Sequence, residues 1–191
     1  NRSFRNEGLS IKHNPEFTMI EFYCAYKNYE YLINFIEQLF KSLCKLLSID
    51  ETYSYQDNNV EFRTPFKRLT FHQSIIENID EINTENINDL TFLDKYCKSN
   101  KLNEGKSNTV DELLLKIFEK DVEKTLIQPT FVTHYPTSVS PLARSFDDNP
   151  DLCERFELFI SGREIANGFS ELNDPAGHAV QFACNFDDGV P

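Results

Sequence analysis

The clearest pattern along the chain is the spacing of apolar residues between Tyr29 and Leu47. Four Leu residues and one Ile form a single stripe at helical spacing: Leu32, Ile36, Leu39, Leu43 and Leu47. Charged side chains occupy other positions of the segment. Apolar residues recurring with a period of about 3.6 residues are typical of an amphipathic helix. We therefore predict a helix over this stretch, with the stripe facing the core.

A second long helix is predicted over Val110–Leu126. Thr109 precedes it as an N-cap, and Glu112 follows three residues later, as in a capping box. The stretch before this helix, residues 79–108, is rich in Asn, Asp, Lys and Ser. That composition favours surface helices and loops, so residues 79–128 are expected to form a helical insertion.

Short runs of aromatic and β-branched residues predict strands. The run Phe17–Tyr23 is nearly continuously apolar, which is typical of a strand buried on both faces. Further strands are predicted at Val60–Phe62, Thr130–Thr133, Arg155–Ile160 and Glu164–Leu172. Ser161-Gly162, between the last two, is a hairpin turn signal. Strands flanked by helices, with a late hairpin, predict an α+β fold with an antiparallel β-sheet.

Composition narrows the function classes. The chain has 191 residues, 40% of them hydrophobic, and a net charge of -12, which argues against broad binding of nucleic acid or anionic membranes. No apolar run approaches the roughly 20 residues of a membrane-spanning helix. Five cysteines without a C-x-x-C pair favour a reducing compartment, and no targeting segment follows Asn1. We expect a cytoplasmic protein without a membrane segment.

Two places near the start combine polar and apolar residues. Arg5 and Glu7 share one face if residues 4–8 are extended, although an isolated pair of this kind is usually a surface ion pair. Glu21 lies within the apolar run, where a buried carboxylate needs a cationic or hydrogen-bonding partner. An edge position open to water is an equal alternative for Glu21.

A third place surrounds the Ser161-Gly162 turn. It contains three carboxylates and an amide: Glu157, Glu164, Asn167 and Glu171. Such a group suits a hard cation such as Mg²⁺, or an ammonium ligand. For any one of these residues alone, a solvated sheet face is the simpler interpretation.

Taken in order, these segments resemble a known family. Phe4-Arg5-Asn6-Glu7, followed by His13-Asn14-Pro15-Glu16-Phe17-Thr18-Met19-Ile20-Glu21-Phe22-Tyr23, is similar to motif 2 of class II aminoacyl-tRNA synthetases in the lysyl-tRNA synthetase form. The later segments that agree are Gln128–Phe131, Ser140–Arg144, Arg155–Glu157 and Gly162–Asp174. The likeness covers roughly residues 1–175 and implies part of the catalytic core of that family.

The resemblance implies a role for each candidate residue. Arg5 would hold the α-phosphate of ATP and stabilise charge during catalysis. The other implied ATP-binding residues are Glu7, His13, Asn14, Phe17, Glu157 and Glu164. Of these, Glu157 and Glu164 would bind Mg²⁺. Lysine would be bound by Glu21, Tyr23, Asn167, Phe169 and Glu171. The carboxylates of Glu21 and Glu171 suit its terminal ammonium group.

The implied activity is ATP-dependent activation of lysine and its transfer to tRNA(Lys), by a parent enzyme expected to be a homodimer. The chain begins inside motif 2, so motif 1 and the anticodon-binding β-barrel are missing from it, as is the motif 3 arginine. Residues 176–191 form an atypical tail. We expect a fragment of a catalytic domain that is inactive on its own.

Three alternatives remain open. A truncated synthetase paralogue that lysylates a translation elongation factor shares the motif 2 appearance. Aspartyl and asparaginyl enzymes share Glu16-Phe17-Thr18, but they would need cationic residues at Glu21 and Glu171. A non-catalytic binding module on the same fold would bind ATP and lysine without forming an adenylate.

The implied site also predicts an irregular strand. A two-residue turn at Ser161-Gly162 places Phe159 opposite Glu164 and puts Glu157 diagonal to Glu164 on the same face. Asn167 has the opposite parity to Glu164 along the strand, so a regular strand would send it to the other face. Both can serve one site only if a β-bulge lies near Ile165-Ala166.

Overall fold

The computed structural model describes residues 1–6, 14–49, 51–102 and 109–175. The chain starts with a small antiparallel pair of strands, β1 (Arg2–Phe4) and β2 (Glu16–Thr18). Helix α1 (Tyr29–Leu46) follows, and then a second antiparallel pair, β3 (Thr52–Tyr55) and β4 (Asn58–Glu61).

The rest of the chain alternates helices with the main sheet. Strand β5 (Lys67–Thr70) leads directly into α2 (Phe71–Asn78), which is followed by α3 (Leu90–Ser99) and α4 (Val110–Ile117). The path of α4 continues through a π-helical turn (Phe118–Val122) and a 3₁₀ turn (Glu123–Thr125). Strands β6 (Thr130–Pro136), β7 (Leu152–Ile160) and β8 (Arg163–Phe169) complete the sheet, with a 3₁₀ turn (Thr137–Val139) after β6.

The main sheet has four strands in the order β5-β6-β7-β8. β5 and β6 are parallel, whereas the other two pairs are antiparallel. The sheet is therefore mixed rather than purely antiparallel, because the helical segment between β5 and β6 lets the chain return in the same direction. The α+β class predicted from the sequence is confirmed.

Helices cover both faces of this sheet, and alternate residues of the strands point to each. Val132, Tyr135 and Phe159 pack with α2, α3 and α4 on one face. Phe131, Phe156, Leu158 and Ile160 pack with α1 and β4 on the other. Because the core lies on both faces, the polar side chains needed by a site concentrate at the margins of the sheet.

The boundaries of α1 agree with the prediction, but its buried face does not. Asn28 caps the helix, its side chain accepting a hydrogen bond from the backbone N–H of Tyr31 at 3.1 Å. The buried residues are Tyr29, Ile33, Ile36 and Glu37. Leu39 and Leu43 of the predicted stripe remain 41% and 38% exposed. The helix therefore packs against the sheet with a face other than the predicted stripe, and this face includes a buried carboxylate.

The partners of Glu37 explain why this face of α1 is buried. One of its oxygens accepts a hydrogen bond from the backbone N–H of Phe66 at 3.0 Å and lies 3.5 Å from the guanidinium of Arg68. These partners satisfy the buried charge and tie α1 to the start of β5. The spacing of apolar residues alone puts Glu37 outside the predicted stripe, among the charged positions of the segment.

Residues 79–102 differ from the surface layer expected from the composition of this stretch. Ile79, Ile82, Ile87, Leu93 and Cys97 are all buried in the core beside α4. The polar residues between them lie on the outside, so a low apolar fraction still provides enough contacts. Thr109 caps α4 as predicted, accepting a hydrogen bond from the backbone N–H of Glu112 at 3.3 Å. Among the described helices, none combines the length and apolar character needed to cross a membrane.

Candidate active site

Glu157 and Glu164 lie on one face of the sheet and line the same cavity. Phe159 pairs with Glu164 across β7 and β8, and Glu157 pairs with Asn167. The register shifts between Leu158 and Phe159, so Ile165 is an extra residue on β8. The β-bulge predicted at this point is confirmed, and it is what brings the two glutamates and Asn167 to one side of the sheet.

The cavity beside these residues has a volume of about 160 Å³. Glu119 and Glu123, from the helical turns after α4, also line it. Arg155 is a cationic residue of the lining. The wall is therefore mainly anionic, which suits a cation or a ligand that carries one.

Glu157 is buried and held at both oxygens. The hydroxyl of Tyr135 donates a hydrogen bond to Oε2 at 2.7 Å, and the guanidinium of Arg155 pairs with Oε1. Burial beside this carboxylate raises the pKa of Tyr135 well above its usual range, so the phenol stays a donor. A carboxylate can accept about four hydrogen bonds, so each oxygen keeps a lone pair for a further ligand.

Glu164 is the carboxylate of the pair whose ionised form is disfavoured by its surroundings. Loss of hydration, and then repulsion from Glu157, raise its pKa to about 7, although the residue is exposed overall. Arg155 and Arg5 partly offset this effect. A carboxyl group with a pKa raised in this way is one that a bound cation would ionise fully.

Arg5 and Phe17 come together on the β1–β2 pair. The guanidinium carbon of Arg5 lies 5.4 Å from the centroid of the Phe17 ring. Because Arg5 also acts on the pKa of Glu164, this small sheet approaches the anionic cavity. Asn14 is exposed just before β2. The predicted site residues Glu7 and His13 lie outside the described residues.

The strand predicted over Phe17–Tyr23 is wrong beyond its first residues. β2 ends at Thr18, and Ile20 and Tyr23 are 89% and 76% exposed. β1 is only three residues long, so within the described residues the later part of this run has no neighbouring strand to pair with. Glu21 is accordingly exposed rather than buried, which is the edge alternative.

Glu21, Tyr23 and Glu171 nevertheless form one group. The hydroxyl of Tyr23 donates a hydrogen bond to Oε1 of Glu21 at 3.2 Å. This bond and the charge of Glu21 raise the pKa of Tyr23, with a smaller effect of Glu171. Glu171 lies just after β8, where it bridges to Ala143. A hydrogen-bonded carboxylate and phenol at the surface thus lie within electrostatic range of Glu171, from a distant part of the chain.

Asn167 and Phe169 project from β8 on the same face as Glu157. Asn167 is exposed and accepts a hydrogen bond from Nε of Arg155 at 3.2 Å, whereas Phe169 is partly buried against the core. The structure thus brings Glu157, Glu164, Asn167 and Phe169 to one face of the β7–β8 pair. Sequence reasoning missed Arg155 and Tyr135 as part of this site, although Arg155 stands two residues before Glu157 and on the same strand face.

The donor set of the cavity fits a metal ion that brings other ligands with it. Among the described residues, no group of three or more His, Cys, Asp or Glu side chains could hold a metal ion. Glu157 and Glu164 offer two carboxylates. Mg²⁺ commonly binds to one or two carboxylates and completes its shell with phosphate oxygens and water. The pair could therefore hold a magnesium ion that arrives with a phosphorylated ligand.

Comparison with known proteins agrees with this chemistry. The family described as tRNA synthetases class II (D, K and N) matches residues 1–185. The lysine–tRNA ligase of Buchnera aphidicola subsp. Acyrthosiphon pisum (strain APS) is 48% identical over 182 residues, covering 95% of this chain and 36% of the relative. That of Magnetococcus marinus is 49% identical over 183 residues, with the same shares of each chain.

The lysine–tRNA ligase of Thiobacillus denitrificans is 47% identical over 182 residues, again covering 95% of this chain and 36% of the relative. The chain thus spans little more than a third of the length of these relatives. The family match extends over nearly the whole chain and includes both strand pairs that carry the site. The chain belongs to the class II tRNA synthetases of the D, K and N group.

Proposed function

We propose that this chain is the part of a lysine–tRNA ligase that binds ATP and lysine and activates the amino acid. The observation that carries the proposal is the hydrogen-bonded pair of Glu21 and Tyr23, with the charge of Glu171 in range, because a pocket end with two carboxylates selects an ammonium side chain. The identity of about half of all residues with lysine–tRNA ligases supports it. These relatives favour the tRNA-charging reaction over modification of an elongation factor.

In the proposed reaction the lysine carboxylate attacks the α-phosphorus of ATP, giving lysyl-adenylate and pyrophosphate. Glu21 and Glu171 hold the ammonium end of lysine, and Tyr23 orients the carboxylate of Glu21 through its hydrogen bond. Asn167 and Phe169 line the same substrate from β8. This fixed placement of the reactants supplies much of the rate enhancement in such a reaction.

Arg5 is the proposed residue that stabilises the charge developing on the α-phosphate, and Phe17, which lies beside it, is the proposed stacking partner of adenine. Glu7, His13 and Asn14 complete the proposed ATP site. Glu157 and Glu164 are the proposed ligands of Mg²⁺, which neutralises phosphate charge when it is bound. A hydroxyl of the terminal adenosine of tRNA(Lys) then attacks the lysyl carbonyl, taking the lysyl group and releasing AMP.

The wider setting belongs to the same proposal. The whole protein is a cytoplasmic homodimer, residues 79–128 are a helical insertion in the domain formed by residues 1–175, and residues 176–191 form an atypical tail. The 191-residue chain alone is expected not to charge tRNA, since it spans only 36% of the relatives. Efficient lysylation of tRNA by the isolated chain would contradict this part of the proposal.

The specificity is tested in a graft, defined as the Buchnera lysine–tRNA ligase with its matched segment replaced by this chain. The Glu21→Gln substitution should raise the KM for lysine in pyrophosphate exchange by roughly ten- to hundredfold, the loss of about 1.5–3 kcal/mol expected for one charged hydrogen bond. The KM for ATP should change little.

Glu30→Gln is the matched control, because Glu30 is an exposed carboxylate at the start of α1. It should leave both KM values unchanged. Equal damage to lysine and ATP binding by Glu21→Gln would remove Glu21 from the lysine site. A graft without any lysine-dependent exchange would refute the proposed function itself.

A further inference from the structure

Arg155 connects more of the candidate site than any residue assigned to it so far. Its guanidinium pairs with Oε1 of Glu157, and Nε donates to the side-chain oxygen of Asn167 at 3.2 Å. Nη1 donates to the hydroxyl of Ser140 at 2.5 Å. The guanidinium carbon also lies 4.9 Å from the centroid of the Tyr135 ring. One side chain thus contacts β6, the loop after it, β7 and β8.

The side chains of Glu157 and Asn167 need a partner that fixes their orientation. Glu157 is buried, and the Tyr135 hydroxyl fixes only one of its oxygens. Asn167 is exposed, so in the described structure its side chain is oriented by the bond from Arg155. Glu157 and Asn167 are also direct neighbours across β7 and β8. A cation between them can therefore set both orientations together.

We propose that Arg155 is a positioning residue that holds Glu157 and Asn167 in one arrangement and so couples the proposed metal-binding side of the site to its lysine-binding side. The identification of the two ligands as Mg²⁺ and lysine rests on the proposed function, whereas the structural claim about Glu157 and Asn167 does not. Arg155 acts through these two residues and need not touch either substrate.

The planar shape of the guanidinium is what makes this role possible. Arg155 uses separate nitrogens for Glu157, Asn167 and Ser140, and its guanidinium lies over the ring of Tyr135. An ammonium group carries the same charge but cannot reproduce such a planar fork or the stacking. Arg155→Lys therefore separates positioning from charge alone.

The kinetic test uses pyrophosphate exchange in the graft. Arg155→Lys should raise the Mg²⁺ concentration for half-maximal rate by about tenfold or more, as is typical when a partner of a metal ligand is changed. It should also raise the KM for lysine, because Asn167 loses its donor. Arg63→Lys is the control, since Arg63 is paired with Glu51 away from this cavity, and it should change neither value.

Tyr135→Phe provides a second variant that does not depend on the tolerance of Arg155 to substitution. It removes the hydrogen bond from the Tyr135 hydroxyl to Glu157 and leaves the contacts of Asn167 unchanged. The Mg²⁺ requirement should therefore rise, while the KM for lysine stays unchanged. A rise in both values for Tyr135→Phe would show that lysine binding depends on Glu157 itself and not on the bond from Arg155 to Asn167, which would overturn the proposal.

A crystal structure of the 191-residue chain with Arg155→Lys tests the structural claim without any assay. The side chains of Glu157 and Asn167 should lose their common orientation, while the pairing of β7 with β8 persists. If both side chains keep their positions and the graft keeps its Mg²⁺ and lysine dependence, Arg155 is not a positioning residue. An inactive unsubstituted graft would instead count against the proposed function and leave this crystallographic result decisive.

Discussion

Single carboxyl groups in this protein differ because their surroundings differ. Glu157 has a buried position with two donors, whereas Glu164 lines the same cavity and takes no hydrogen bond from the described residues. Glu21 is exposed and accepts a hydrogen bond from the hydroxyl of Tyr23. The chemical type of a residue therefore says less about its role than the donors and charges beside it.

The raised pKa of Glu164 predicts a stability effect that depends on pH. In the unfolded chain this carboxyl ionises near 4.5, but in the folded protein its pKa is about 7. Between these two values the unfolded state binds fewer protons than the folded state, so stability falls as the pH rises. Above about pH 7 the penalty is constant, and below about pH 4.5 it is absent.

Glu164→Gln should therefore raise the thermal midpoint of the chain, with a gain that grows from pH 4.5 to pH 7 and then levels off. Thermal unfolding followed by circular dichroism at several pH values measures this gain. Glu30→Gln, at the exposed start of α1, should show no such dependence. A gain in the thermal midpoint that is the same at pH 5 and pH 8 would exclude the ionisation of Glu164 as its cause.

At the scale of elements, the β7–β8 hairpin positions the site. Ser161 and Gly162 both have positive φ angles, of 54° and 69°, as a two-residue turn of this kind requires. The backbone N–H groups of these residues donate to the carbonyls of Ile127 and Leu126. The turn thus docks against the chain leaving α4, and the bulge at Ile165 then sets which side chains face the cavity.

Gly162→Ala should destabilise the chain by about 1–2 kcal/mol, the usual penalty for a left-handed residue with a Cβ atom. A Cβ atom here would also lie 3.2 Å from the backbone of Lys124. Ser161→Gly is the matched variant, because it accepts the same φ and removes a buried hydroxyl without a hydrogen-bond partner. It should be neutral or stabilising in urea unfolding. Equal losses for the two variants would mean that backbone conformation does not govern this turn.

At the scale of the whole molecule, α1 leaves an apolar outer face. Four large side chains at successive helical turns are about 40% exposed: Tyr31, Phe35, Leu39 and Leu43. The ring of Phe22 lies 5.1 Å from that of Phe35 and extends this face. An apolar stripe of this length is uncommon on an isolated domain and favours association.

We therefore expect the 191-residue chain to associate as its concentration rises, which sedimentation velocity would measure. Replacing Leu39 and Leu43 by Lys should reduce this association while the thermal midpoint changes little, because neither side chain is part of the buried face of α1. Replacing Ile33 by Lys instead should unfold the chain. A chain that stays monomeric at all concentrations would contradict the expectation.

Short-range patterns in the sequence were sufficient for much of this structure. The bounds of α1, the cap at Thr109, the hairpin register and the bulge near Ile165 were all predicted correctly. Each depends on backbone hydrogen bonds between residues close in sequence, or on the strict two-residue alternation of a strand. The family motifs identified the candidate site residues, because such motifs combine residue type with spacing.

Only the tertiary structure decided which surfaces are buried and which side chains support the site. The buried side of α1 depends on the pairing of Glu37 with the start of β5, and the exposure of Glu21 depends on the shortness of β1. The role of Arg155 required knowledge that Tyr135, Ser140 and Asn167 lie around it. Burial and charge pairing arise between segments far apart in sequence, and local spacing carries no information about which segments meet.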